Sequence, residues 1–483
     1  MLVALGLRIA AMAGMTLVPE EAYYWMYWQH PSLSYFDHPP MVAWLIGAGT
    51  RLFGDTELGV RIGGALLMLA SSGLMYVFGR QWFGQKAAVA AALLLQVLPI
   101  YFGAGLIATM DSALVFFWLA GLVGVTVALR QHRAWGWYLA GVGLGGAMLS
   151  KYTGVFLGLG ALLVVMGYRP WRRHLRTVHP YAAGFLALAL FTPVLVWNAQ
   201  NDWASFRFQF IDRFAGKPLS IGSVASFAGL QLVVATPIVL GGLGWLYLRV
   251  LRNRRRLLTP RWLMAVGFSL PLLLVMSYKS LHYNIRLNWT LPLYLSVLPA
   301  VLQLGLAQWR RVRGKGWSGR GWHQAALATV AVCLGVNVLA GFYLLVVQPR
   351  TGWISAIGPW PELASAVEVI EERLESETGE EPLIIGDGKY RLASVLAFYR
   401  TRMEPDVRAS NFTTSQWIVG GVGLGYPYWA PKDGWQDHPC IVVDDNNSIE
   451  QFASRFKRFD IVANLHLIGP KEYHVAIGRD WRE

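Results

Sequence analysis

The sequence predicts an α-helical polytopic membrane protein with about eleven transmembrane helices and a small C-terminal soluble α/β domain. Three observations carry that prediction. Hydrophobic residues make up 55% of the 483 and charged residues only 14%; a soluble protein carries nearer ~25% charge, so this chain cannot cover a water-facing surface of ordinary polarity. The apolar residues fall in runs close to the ~20 residues that a helix needs to cross a bilayer. Beyond Val347 the runs stop, and residues 350–483 hold 20 acidic and 14 basic side chains.

In order, the runs place spans near 1–18, 60–79, 87–107, 112–129, 134–150, 152–168, 178–197, 222–248, 262–278, 287–308 and 324–347. The first is short and is interrupted only by Arg8 and Thr16. It reads as a span rather than a signal peptide, because no small-x-small cleavage site leads into a mature globular chain. The first outer loop, 19–59, has room for interfacial helices. In the C-terminal part, helix-like stretches (361–376, 391–400, 448–458) alternate with strand-like runs (383–385, 441–443, 474–477), with turn signals such as Gly386-Asp387-Gly388. The predicted division is therefore 1–347 for the membrane part and 348–483 for the soluble part. Cys333 lies in an apolar run and Cys440 in the polar part, so they give neither a disulfide framework nor the spacing of a structural metal site.

The net charge of +14 would, taken alone, suggest an anionic partner. Its placement says otherwise. With the N-terminus in the cytoplasm, the connections 80–86, 130–133, 169–176, 249–261 and 310–323 carry 19 Lys and Arg and no acidic residue. The opposite connections hold Glu20, Glu21, Asp37, Asp55, Glu57, Asp111, Asp202 and Asp212. This is a positive-inside pattern. It predicts a membrane protein with a cytoplasmic N-terminus, a C-terminal domain on the periplasmic or lumenal face and no nucleic-acid partner. The basic run Arg249–Arg256 reads as a topology determinant, with anionic lipid contact as the alternative. No internal repeat is visible, and ionisable residues collecting on one face favour an interfacial site over a conduction path.

The most informative segment is 19–45, with Pro19-Glu20-Glu21-Ala22-Tyr23-Tyr24-Trp25 and then Tyr35-Phe36-Asp37-His38-Pro39-Pro40. Adjacent carboxylates directly after a span are expensive unless they are solvated or work in a site. Two readings fit: a solvated loop with an aromatic belt, or a catalytic loop that gathers Glu20, Glu21 and Asp37 at a lipid head group. Asp111 follows Thr109 at a helix start, where N-capping competes with a site role. Lys151 breaks two spans that meet on the outer side and either binds an anion or snorkels to the interface.

The pattern EEAYYW…SYFDHPPMVAWL resembles the first outer loop of the bacterial GT-C glycosyltransferases, which include the protein O-mannosyltransferase superfamily and the aminoarabinose transferases that modify lipid A. In that likeness Glu20 stands where the family usually has Asp, Glu21 on its Glu, Asp37 on its later acid, and His38 where Lys is frequent. The stretches around Asp111, around Lys151, from Trp197-Asn198 through Trp203, Gln209 and Arg213, from Lys279 to Trp289, and around Tyr390 resemble further family segments. The resemblance implies an inverting transfer of a sugar from a polyprenyl-phosphate-linked donor to a lipid, glycan or protein acceptor at the outer face. It implies catalytic roles for Glu20, Glu21, Asp37 and Asp111, with Glu20 the general base. It also implies donor-phosphate contacts from His38, Lys151, Arg213, Lys279 and Arg286, and a substrate lining of Tyr23, Tyr24, Tyr35, Asn198, Trp203 and Tyr390.

A divalent metal stays open, with Glu21, Asp37 and His282 as candidate ligands; no other cofactor is implied. No P-loop or dinucleotide fingerprint is present. Two alternatives keep the same residues without chemistry: a lipid-linked sugar flippase, and a pseudo-enzyme that scaffolds through its tail.

Overall fold

The computed structural model describes residues 2–481 except 213–217, 253–258, 313–316, 352–353, 355–356, 404–409, 431–434 and 436–437. Helix α1 (Leu2–Gly14) ends where the chain turns by 85° into α2 (Pro19–Gln29). Pro19 opens α2, where its fixed φ suits a first helical turn and its missing N–H costs nothing. Glu20 and Glu21 therefore lie in that first turn, at the positive end of the helix dipole. α3 (Met41–Phe53) follows the Pro39-Pro40 pair, and α4 (Glu57–Phe83) starts at Thr56, whose hydroxyl accepts the Gly59 N–H at 3.0 Å.

α7 (Met110–Arg130) and α8 (Trp135–Ser150) pack with backbones almost touching. A Cβ at Gly136 would lie 2.4 Å from the Ala128 nitrogen, and one at Gly143 would lie 2.5 Å from that of Gly121. Small residues permit this approach, as between helices in lipid. The pairing is antiparallel, so the residue after α8, Lys151, returns to the start of α7, where Asp111 sits.

Six helices among the described residues are long and apolar enough to cross a membrane, and up to nine spans result if three bent pairs each count as one. The eleven predicted from the sequence are thus not reached by this measure. The run 87–107 is cut at Leu98-Pro99 into α5 (Gln85–Val97) and α6 (Pro99–Ala104), because proline lacks the N–H that would continue the ladder. The run 134–150 forms α8, whose 16 residues fall short of the ~20 of a full span. The bent pairs lie at 1–18, at 152–168 and at 222–248. The last kinks at Thr236, φ 62°, before Pro237 in α12 (Ile221–Arg252). Apolar sequence marks two environments here: α7 is 89% buried over its most apolar window, and the helix Ala328–Val347 only 6%. The first is core and the second presents its side chains outward, as a lipid-facing helix does.

The C-terminal part holds a five-stranded sheet in the order β2-β1-β3-β5-β4. The strands are β1 (Leu383–Gly386), β2 (Thr413–Ser415), β3 (Cys440–Asp444), β4 (Phe456–His466) and β5 (Glu472–Trp481). β2, β1 and β3 are parallel, and β5 and β4 add antiparallel. The strands expected near 383, 441 and 474 are present, as are helices at Trp360–Thr378 and Arg391–Met403. The helix expected over 448–458 is not. It is a 3-10 stretch, Ile449–Arg455, that runs straight into β4. β4 is an edge strand whose exposed positions include Lys457, Arg458 and Asp460; charges there protect the edge and hide the strand from an apolar-pattern reading.

Helix Arg391–Met403 packs on α2, and one apolar cluster runs from Tyr23, Trp25 and Tyr27 to Leu396, Phe398 and Tyr399. The Tyr399 hydroxyl accepts the Leu17 N–H at 2.9 Å and donates to Glu57 at 3.0 Å, and Arg402 pairs with Glu57 at 2.9 Å. The tail is thereby fastened to the first loop beside the two adjacent glutamates.

Candidate functional site

Four acidic residues named from the sequence are built into one region, with different surroundings. Glu21 is wholly buried. Its oxygens accept from Arg61 Nε at 2.8 Å and Nη2 at 2.6 Å, from the Val18 N–H at 3.0 Å and from the Ala108 N–H at 2.7 Å. Arg61, on α4, spends its remaining donors on the carbonyls of Met12, Met15 and Thr16. This is the fork-to-carboxylate geometry that makes Arg the usual partner of a buried acid, and it leaves Glu21 no open oxygen. Sequence reading missed Arg61. An arginine five residues into a membrane-length helix calls for a buried acid, and that was the available signal.

Glu20, one position earlier, is half-buried. Among the described residues its hydrogen-bond partner is the Tyr390 hydroxyl, which donates to Oε1 at 3.1 Å from the C-terminal part. Burial pushes the Tyr390 phenol well up, and the Glu20 charge adds to the effect. Arg286, exposed at the start of a 3-10 turn (Leu287–Thr290), acts on the same hydroxyl in the opposite sense.

Asp37 is buried between α2 and α3. Its Oδ1 accepts the hydroxyls of Tyr23 (2.9 Å) and Tyr27. Its Oδ2 lies 3.7 Å from His38 Nε2, and its backbone carbonyl accepts Gln209 Nε2 at 2.5 Å. Tyr23 in turn accepts the Gly425 N–H of the tail at 2.9 Å. Tyr27 was not foreseen; it lies one helical turn beyond Tyr23, so both hydroxyls reach the same oxygen.

Asp111 is buried at the start of α7. Lys151 Nζ donates to its Oδ1 at 2.8 Å and Asn288 Nδ2 to its Oδ2 at 2.6 Å. Thr109 is the N-cap, its hydroxyl accepting the Asp111 N–H at 3.4 Å. The Asp111 carboxylate therefore has another task than capping. Tyr24 joins the group: it lies within electrostatic reach of Asp37, Tyr390, Glu20 and Asp111, and its ring meets that of His38 edge-on at 5.8 Å.

Other residues named from the sequence fall elsewhere. Asn198 is wholly buried as a fastener: Nδ2 donates to the Val194 carbonyl and Oδ1 accepts the Phe206 N–H. It is thus packed away from any surface a substrate would touch, and it holds the turn between α10 (His179–Gln200) and α11 (Ala204–Phe210). Trp203 stands in the left-handed region, φ 56°, half exposed and close to Phe206. Tyr35 stacks on Tyr27 at 3.9 Å and donates to its carbonyl at 2.6 Å. Lys279 ends the helix Pro260–Ser280, and its carbonyl accepts the N–H groups of His282 and Tyr283. Arg213 lies outside the described residues.

Among the described residues, the metal candidates Glu21, Asp37 and His282 do not cluster. Glu21 has both oxygens engaged by Arg61 and backbone amides, and Asp37 Oδ1 takes two tyrosine hydroxyls. The described acids that do cluster, Glu371-Glu375-Glu381 and Asp387-Asp444-Asp445, are both in the C-terminal part and include none of the three candidates.

Residues 37–197 match the dolichyl-phosphate-mannose-protein mannosyltransferase family. The lipid A galacturonosyltransferase RgtD of Rhizobium johnstonii is 27% identical over 280 residues, 57% of this chain and 58% of its own. An undecaprenyl phosphate-alpha-4-amino-4-deoxy-L-arabinose arabinosyl transferase of Pseudomonas aeruginosa is 29% identical over 319 residues, 62% of this chain and 56% of its own. The chain thus spans just over half the length of these curated relatives. The crystal structure of ArnT from Cupriavidus metallidurans in the apo state superposes over 98% of this chain and 96% of that one, with a TM-score of 0.66 at 16% identity. The chain therefore has the fold of ArnT. In sequence it resembles the lipid A galacturonosyltransferase and the aminoarabinose transferases.

Proposed function

We propose that the protein is an inverting membrane glycosyltransferase. It moves a sugar from an undecaprenyl-phosphate-type donor to a lipid A-type acceptor at the outer face of the bacterial inner membrane. The observation that carries this reading is the convergence of Glu20, Asp37 and Asp111 around Tyr24, with Lys151 on Asp111. The names of the two relatives support the substrate classes, and undecaprenyl phosphate is the ligand of ArnT from C. metallidurans in a second crystal structure of that protein. Protein and glycan acceptors have no such support.

In this reading the acceptor oxygen attacks the anomeric carbon from the face opposite the phosphate. The new C–O bond forms as the bond from that carbon to the phosphate oxygen breaks, and the acceptor proton passes to Glu20. Glu20 is the suitable base, being half-buried and, among the described residues, bonded to one phenol through Oε1, which leaves Oε2 for a substrate. Asp37 and Asp111 place negative charge near the developing oxocarbenium. The departing phosphate needs cations. Lys151 spends one of its three N–H donors on Asp111, and His38, Lys279 and Arg286 complete the basic set. Glu21 holds α2 in place through Arg61 rather than meeting substrate. The membrane part, 1–347, carries this chemistry, and the part from 348 covers it from the periplasm, with the N-terminus in the cytoplasm.

The test is reconstitution of the full chain with lipid A and undecaprenyl-phosphate-linked aminoarabinose or galacturonic acid, read by mass spectrometry of the lipid. A single-sugar mass gain that disappears in Glu20→Gln is the expected result. Donor that crosses the vesicle without being consumed would replace the transferase by a flippase.

A further inference from the structure

Beside the carboxylate centre lies a cavity of about 430 Å³ that the chemistry above does not use. Its walls come from the loop after α2, from the end of α10 and from the tail segment around Gly425 and Trp429. It lies next to Asp37: Tyr35 and Phe36 line it and precede Asp37 in the chain, and Gly425 donates to the Tyr23 hydroxyl that holds Asp37. Pro31, Ser32 and Tyr428 on its lining are exposed, so the cavity has an open side.

Its chemistry differs from that of the centre. None of its described lining residues is Asp, Glu, Lys or Arg. The walls are aromatic, with Trp197 and Tyr428 in contact at 5.3 Å and Trp429 backed by the parallel ring of His30 at 5.3 Å. The polar groups are uncharged hydrogen-bonders such as Gln29, Ser34 and Asn201. His30 Nε2 is buried with no hydrogen-bond partner among the described residues. Burial pushes the His30 imidazole down to about 4, so the ring is neutral at physiological pH. A buried polar atom left unpaired is destabilising, and a ligand hydroxyl would pair it.

Among the described lining residues a phosphate would find no Lys or Arg. A fatty acyl chain would leave the hydrogen-bonders unpaired. A sugar ring satisfies both parts of the wall, with C–H faces that lie on aromatic rings and hydroxyls that pair with neutral donors and acceptors. We propose that this cavity is the saccharide subsite for the acceptor. It takes a pyranose ring of the lipid A head group on Trp197 and Tyr428, pairs ring hydroxyls with His30 and Gln29, and presents the acceptor oxygen to the neighbouring carboxylates. The assignment rests on the transferase reading, and it divides the labour: charged residues for the donor phosphate, neutral and aromatic ones for the acceptor sugar.

The experiment is equilibrium binding of lipid A, and separately of undecaprenyl phosphate, to the full chain in nanodiscs. Wild type is compared with Tyr428→Ala and His30→Gln. Tyr428 is 42% exposed and lies outside the buried core, so its removal spares the fold, and His30→Gln keeps a polar group at the second position. Lipid A affinity should fall about tenfold in Tyr428→Ala, the usual cost of a packed aromatic contact, and measurably in His30→Gln. Undecaprenyl phosphate affinity should stay within twofold of wild type. Lipid A affinity unchanged in both variants, or no lipid A retention by wild type above a phospholipid control, overturns the subsite. Binding that weakens as expected in a protein that never transfers sugar would instead sink the transferase reading alone.

Discussion

Glu20 and Glu21 are neighbours in the chain and are held in opposite ways. Glu21 is wholly buried and takes four donors, two of them from one guanidinium. Glu20 is half-buried and receives one phenol. The helical turn that carries both directs one carboxylate into the bundle and leaves the other beside the tail. The difference teaches that a pair of acids in a motif is two functions at adjacent positions, one that fixes the helix and one that faces substrate.

The comparison breaks first at Glu20. Glu20→Gln should lower transfer by about 10²–10⁴-fold, the usual contribution of a general base, with an unchanged melting temperature by scanning calorimetry. The converse follows for its neighbour. Arg61→Leu strands a buried carboxylate and should cost about 3–5 kcal/mol of stability, measured as a fall in melting temperature and in folded yield. If Glu21→Gln leaves stability intact while abolishing turnover, the two roles have been assigned the wrong way round.

Lys151→Met sharpens the contrast by removing a cation that serves Asp111. Undecaprenyl phosphate should bind about 10- to 100-fold more weakly, the scale of a hydrogen bond to a charged group, as read by a lipid-binding titration. Tyr390→Phe is subtler. Loss of one hydrogen bond to Glu20, about 1 kcal/mol, should lower kcat several-fold without changing lipid A affinity.

The smallest effect concerns a second buried arginine. Arg61 meets one acid, whereas Arg400 in the tail meets Glu368, Glu371 and Glu381. Burial pushes the Glu371 carboxyl up to about 8, against the pull of Arg400 and with help from Glu381. The folded state therefore holds a proton that the unfolded chain, near its ordinary 4.5, releases. That stabilisation is fully present below about 4.5 and is lost as pH rises through about 8. Glu371→Gln should flatten this part of the pH-stability profile, which chemical denaturation between those limits would measure.

Much of this architecture was legible in the sequence, for identifiable reasons. Span-length apolar runs announced the membrane part, Glu20, Asp111 and Lys151 stood out as charges at the ends of apolar runs, and Asp37 stood out in the first outer loop. What stayed hidden depended on distant pairing. Arg61 meets Glu21 across 40 residues, and only the packing of α4 against the α1–α2 bend brings them together. Asn198 has a lining role only through the resemblance of its segment to a family loop, and in the structure it closes a turn. Pro99 interrupts a run whose composition alone reads as a span, and the charged face of β4 masks a strand as a helix.

The hydrogen bond from Tyr390 to Glu20 also has a consequence in time. The two residues are 370 positions apart, so when Glu20 leaves the ribosome its partner has yet to be translated. The carboxylate acquires this contact only once the tail has been made and its helix has docked on α2. A chain that stops early, or whose tail is clipped, keeps its acids but leaves Glu20 without Tyr390. The surroundings of Glu20 are thus completed only after residue 390 has been made and docked.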